Sequence, residues 1–131
     1  MAVTSVNPWT WQQGFGFSQG VSITGIERIV EVSGQCATGP DGAPQHAGDM
    51  RGQIELSMKN IATVLEASGL SLANVSRIRV FATDVGAALA AWDAVVGPLN
   101  AVGVWPASSL LGTTGLFSPD LMVEIEVTAV E

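Results

Sequence analysis

The chain is short of the side chains that usually carry chemistry: among 131 residues there is one cysteine, one histidine and no tyrosine. A lone Cys36 closes no internal disulfide, and Cys36 with His46 cannot complete a structural zinc site, so no metal is expected. Cations are scarce too. Only Arg28, Arg51, Lys59, Arg77 and Arg79 are present, none follows residue 79, and the formal net charge is −7. An acidic chain without a basic stripe gains little from counterion release, so neither nucleic acid nor an anionic membrane surface is an expected partner. No apolar run approaches the roughly 18–20 residues of a spanning helix, and the opening MAVTSVNPWTW lacks the basic-then-apolar pattern of a secretion signal. A soluble, cytoplasmic protein is expected. Any reaction must be run by carboxylates, hydroxyls, backbone groups or one thiol.

What is present is apolar. Hydrophobic residues make up 47% of the chain and charged ones 13%, a thin polar surface that suggests cover by other subunits. The length suits one domain spanning residues 1–131. Residues 1–16 show no clear period and read as an irregular lead into a short strand at FSQGVSITG. ERIVEVSGQ reads as a strand covered on both faces, ending at a glycine that permits close approach. The turn-rich stretch over residues 36–48 reads as an exposed loop. Asp49 is an N-cap for a helix whose apolar stripe is Ile54, Met58, Ile61 and Leu65, with Gln53, Glu55, Lys59 and Glu66 among its polar positions, and Gly69 ends it. NVSRIRVFATD alternates as a strand, GAALAAWDAVVG is a second helix with a soft end near Pro98, and ASSLLGTT is a further strand. In LMVEIEVTAV, Val123, Ile125, Val127 and Ala129 share one face, and Met122, Glu124, Glu126 and Thr128 the other. The order predicts an α+β fold with two helices on one face of a mixed sheet, leaving the other face open to copies of the chain.

Candidate chemistry follows from that layout. Glu124 and Glu126 lie two apart on one strand face, about 7 Å from each other. At a subunit junction either could give and take protons; on a solvated face they would pair with Arg77 and Arg79. Cys36 has no second histidine or cation to activate it and reads as packing. His46 reads as a solvent-facing loop residue. Ser108 and Ser109 lack a base for nucleophilic attack and read as polar lining of a pocket. Four tryptophans in a small domain are core by default, with a flat apolar ligand site as the alternative.

GFSQG near the start, VSGQ at residues 32–35, the helix QIELSMKNIATVLEASGLSLANV, RVFATD, WPASS and the final VEIEVTAV occur together, in order. In these motifs the chain resembles the Rid (reactive intermediate deaminase) or YjgF family. The resemblance implies a chorismate-mutase-like fold and a homotrimer with three small-molecule pockets at the subunit junctions. In deaminating members of the family an imine or enamine is hydrolysed to a ketoacid and ammonia without metal or cofactor, so no cofactor is expected. The family's glutamate corresponds to Glu124, and its VSGQ turn to Ser33, Gly34 and Gln35. The carboxylate-binding arginine of the family is replaced by Ser108, its tyrosine by Phe17, and a polar position of the second helix by Trp92.

A serine supplies a hydrogen bond without charge, about 1 kcal/mol against the roughly 1.5–3 kcal/mol of a charge-assisted contact. The resemblance thus points to a ligand without a carboxylate, held among Phe17, Trp92 and Trp105 with Glu124 as its one ionisable contact. Groups around Gly34 and Cys36, with Ser108 and Ser109, would orient its polar end. Two functions follow: an imine or enamine deaminase-like hydrolase using Glu124 as general acid and base, and a small-metabolite-binding protein of the same fold. Nuclease activity is disfavoured by the charge.

Overall fold

A computed structural model describes all of residues 1–131. The strands are β1 (Ala2–Val6), β2 (Gly20–Thr24), β3 (Ile29–Gln35), β4 (Val75–Ala82), β5 (Ala107–Gly112) and β6 (Val123–Val130). The helices are α1 (Met50–Ala67), α2 (Val85–Ala90) and α3 (Trp92–Asn100). Four strands form a mixed sheet in the order β3-β6-β4-β5, with β4 and β5 parallel and the other pairs antiparallel. The fold is α+β, as expected.

The helices form because their ends are closed and their faces sorted. Asp49 accepts a hydrogen bond from the Gly52 amide at 3.0 Å, capping α1. At the other end Gly69 takes φ +84°, and the Gly69 and Leu70 amides bond back to Glu66 and Leu65. One face of α1 buries Ile54, Met58, Ile61 and Leu65 against Ile125 and Val127 of β6 and Val32 of β3 in a single core. Strand β6 alternates as expected, its four core residues buried and Glu124, Glu126 and Thr128 half-buried on the face that no helix covers. Arg77, Arg79 and Phe81 of β4 share that open face, because Arg79 lies opposite Glu126 and Phe81 opposite Glu124.

Four expectations are corrected. The first residues are not irregular: β1 pairs antiparallel with β2, a partner too far along the chain to leave a local signal. Strand β3 is not covered on both faces but is an edge strand, with Ile29 and Glu31 exposed. The second helix is two helices, broken at Ala91, whose φ of −113° and ψ of +19° leave the helical range. Asp84 caps the first piece and Pro98 lies inside the second. Gln53, read with Glu55, Lys59 and Glu66 as one of the polar positions of α1, is fully buried.

Ile61→Ala should lower the free energy of unfolding by about 2–5 kcal/mol, the range for truncating a fully buried branched side chain. Asp49→Ala should cost about 1 kcal/mol through the lost cap. Urea denaturation measures both, and equal effects would contradict the assigned roles.

Candidate functional site

The carboxylate of β6 without a cation partner is Glu124, and its surroundings follow from an irregularity in β3. Val32 lies opposite Val127 and Gln35 opposite Ile125, so three steps along β3 match two along β6. The extra residue is a bulge, and it aims Gly34 at Glu124. A Cβ on Gly34 would lie 2.5 Å from both Cδ and Oε2 of Glu124, so a side chain there would displace the carboxylate from this position. Gln35 Nε2 donates to the Ser33 carbonyl at 3.1 Å, bracing the bulge. Beyond it, the Cys36 thiol donates to Glu124 Oε1 at 3.3 Å.

Two amides on α1 hold this corner. Asn60 Nδ2 donates to the carbonyls of Cys36 and Thr38 at 3.1 and 3.0 Å. Gln53 donates to the carbonyls of His46 and Asp120 and accepts from the Met122 amide, tying the 37–48 loop to the segment before β6. Neither was singled out from sequence. The available signal was their spacing of seven, which places both amides along one side of the helix.

Cys36 is 4% exposed. Burial first, then the hydrogen bond and charge of Glu124, push its thiol up to about 12. At neutral pH it is a protonated donor and no nucleophile. Glu126 has a different fate, forming an ion pair with Arg79 at 3.3 Å. The two strand glutamates therefore separate: one is paired, and the other has no cation beside it. Arg28 is bound to Glu131 and Arg51 to Asp93, which holds the Asp93 carboxyl below its usual range through the hydrogen bond to Arg51. Arg77 donates to Ser109 Oγ at 3.1 Å, and it lies opposite Thr128, four residues from Glu124, or about 13 Å along the strand.

The other candidates lie elsewhere in the protomer. Phe17 and Trp105 line a separate cleft of about 320 Å³ with Ser5, Asn7, Gln12 and Ser18. Its polar groups satisfy one another: Gln12 donates to Asn7 and accepts from Gln19, and Ser18 Oγ donates to the Trp105 carbonyl. Ser109 faces the open side with Arg77, whereas Ser108, opposite Ile78, faces the helix layer. Trp92 departs from expectation. It belongs to the core, and its Nε1 donates to the Phe15 carbonyl at 2.8 Å, because the break at Ala91 lets α3 turn this residue inward. His46 is exposed in its loop. No three His, Cys, Asp or Glu side chains converge on a point that could hold a metal, and no helix is long and apolar enough to cross a membrane.

A small α+β protein with a glycine-cradled carboxylate on an uncovered sheet face defines the class. The sequence profile described as Endoribonuclease L-PSP matches residues 13–131, and the chain belongs to this family, that of the Rid or YjgF proteins. The crystal structure of the Rid family protein YyfB from Yersinia pestis superposes with a TM-score of 0.84 at 29% identity, covering 100% of both chains. TdcF of E. coli, solved with bound serine, superposes at 0.69 with 28% identity over 88% of this chain and 87% of that one. Protein DfrA of Myxococcus xanthus is 36% identical over 70 residues, 53% of each chain, so the match spans about half the length of that relative.

Gly34→Ala should displace the Glu124 carboxylate, the flexible end that an added Cβ would meet, as a crystal structure of the variant would show. Gly14→Ala, where an added Cβ meets nothing within 4 Å, should leave it in place. Cys36 also predicts an alkaline weakness. The thiol titrates near 9.0 when free and at about 12 when folded, so between these values the unfolded chain binds fewer protons. Stability should therefore fall as pH rises through that window, and Cys36→Ala should fall less; parallel curves for the two proteins would contradict the buried thiol.

Proposed function

We propose that three copies of the chain associate through the uncovered sheet faces. Glu124 of one protomer and the Phe17–Trp105 cleft of the next then share a pocket. There Glu124 acts as general acid and base on an imine, enamine or related carbonyl compound without a carboxylate. The observation that carries this reading is the half-buried Glu124 carboxylate, held over Gly34 with no cation to neutralise it. Large apolar side chains left exposed on the protomer, among them Ile29, Trp105 and Leu111, support association. The serine bound by TdcF supports a small-molecule ligand for the fold.

For an imine, the chemistry is balanced by one carboxylate. Glu124 takes a proton from water as the water oxygen bonds to the C=N carbon, and the proton passes to nitrogen. In the collapse of the carbinolamine Glu124 takes the hydroxyl proton and returns it to nitrogen as the C–N bond breaks, releasing amine or ammonia with the carbonyl product. Ser109, on the open face with Glu124, offers a neutral hydrogen bond, whereas Ser108, where the family's arginine would supply charge, faces the helix layer. No metal or cofactor takes part.

A binding protein of the same architecture is the alternative. It is favoured by Ser108 in place of the charged clamp and by Trp92, which is drawn into the core instead of lining a pocket. Nuclease activity, which the family's description carries, fits less well. Three of the four arginines are engaged with carboxylates, and the net charge is −7.

Glu124→Gln decides between the two readings. Assayed on imines generated in solution, it should lower turnover by about 10²-fold or more with the fold retained, as loss of a general acid and base does. A change confined to ligand affinity would favour the binding protein.

A further inference from the structure

We infer that Cys36 is a positioning residue for Glu124. Its thiol holds the carboxylate through Oε1 and so fixes the group where it exchanges the proton. This rests on the reading of Glu124 as general acid and base. The thiol supplies the one hydrogen bond that the carboxylate receives within the protomer, at 3.3 Å. On its other side the carboxylate lies against Gly34, where an added Cβ would meet its Cδ and Oε2 at 2.5 Å. The carboxylate is thus clamped between a sulfur and a bare backbone, without a cation.

The clamp is itself held. Asn60 binds the Cys36 carbonyl, and Cys36 packs with Ala37 and Leu121 in a small buried cluster. Glu124 is the only charged group acting on the thiol, while Glu126 on the same strand face is bound to Arg79. A cation in this place would neutralise the carboxylate and weaken it as a base. A thiol that keeps its proton at neutral pH orients the carboxylate and adds no net charge. It also offers no acid that competes for the exchanged proton.

The chain has a single cysteine, so its S–H stretching band can be read by infrared spectroscopy without overlap from another thiol. In Glu124→Gln, where a weaker acceptor replaces the carboxylate, that band should move to higher frequency. In Cys36→Ala, kcat should fall at least about tenfold, with KM within about twofold, as expected when a catalytic group is misplaced. Cys36→Ser keeps a donor and should restore most of kcat.

An S–H band unmoved in Glu124→Gln overturns the proposal, as does an undiminished kcat in Cys36→Ala. Equal losses in Cys36→Ala and Cys36→Ser would assign the cysteine to packing alone. Undiminished turnover in Glu124→Gln would instead defeat the acid and base role of Glu124, a result separate from either cysteine variant.

Discussion

The close approach of the Glu124 carboxylate to Gly34 is the constraint on which the site depends. It requires a residue without Cβ, a bulge that brings that residue opposite β6, and a neighbour that holds the carboxylate once it is there. Each requirement is met by a different element: β3 supplies the bulge, the segment after it the thiol, and α1 the amides that fasten that segment. The core beneath, packed by the apolar faces of α1 and α3, gives the sheet the rigidity that holds such a contact.

The distribution of charge explains why this carboxylate differs from the others on the sheet. Glu126 and Arg79 neutralise each other across β6 and β4, and Glu31 accepts from Thr128 across β3 and β6. Glu124 has Phe81 opposite it instead of an arginine. A one-step change in register along β4 would have brought Arg79 off the open face altogether, since side chains alternate across a strand. The pairing of strands thus decides which glutamate is structural and which is left available for chemistry.

Much of this was legible in the sequence. The alternation in LMVEIEVTAV assigned faces correctly, and Asp49 and Gly69 marked the ends of α1. What was not legible depends on tertiary register or on the fate of single polar groups. Periodicity could not show that Gln53 turns its amide into a loop, that β1 finds β2 across thirteen intervening residues, or that Trp92 turns toward the Phe15 carbonyl. That Ser108 and Ser109 face opposite sides was implicit in strand alternation. Which one shares a face with Glu124 required the pairing of β5 with β4.

Within one protomer the carboxylate and the Phe17–Trp105 cleft are separate, so the account turns on how copies of the chain meet. A crystal structure of the assembled protein is the most direct measurement. The account predicts three copies, with Glu124 facing an aromatic wall of its neighbour and no guanidinium within about 4 Å of it, the ion-pair limit. Glu124 open to bulk water, or an arginine of an adjacent copy bound to it, would contradict the account.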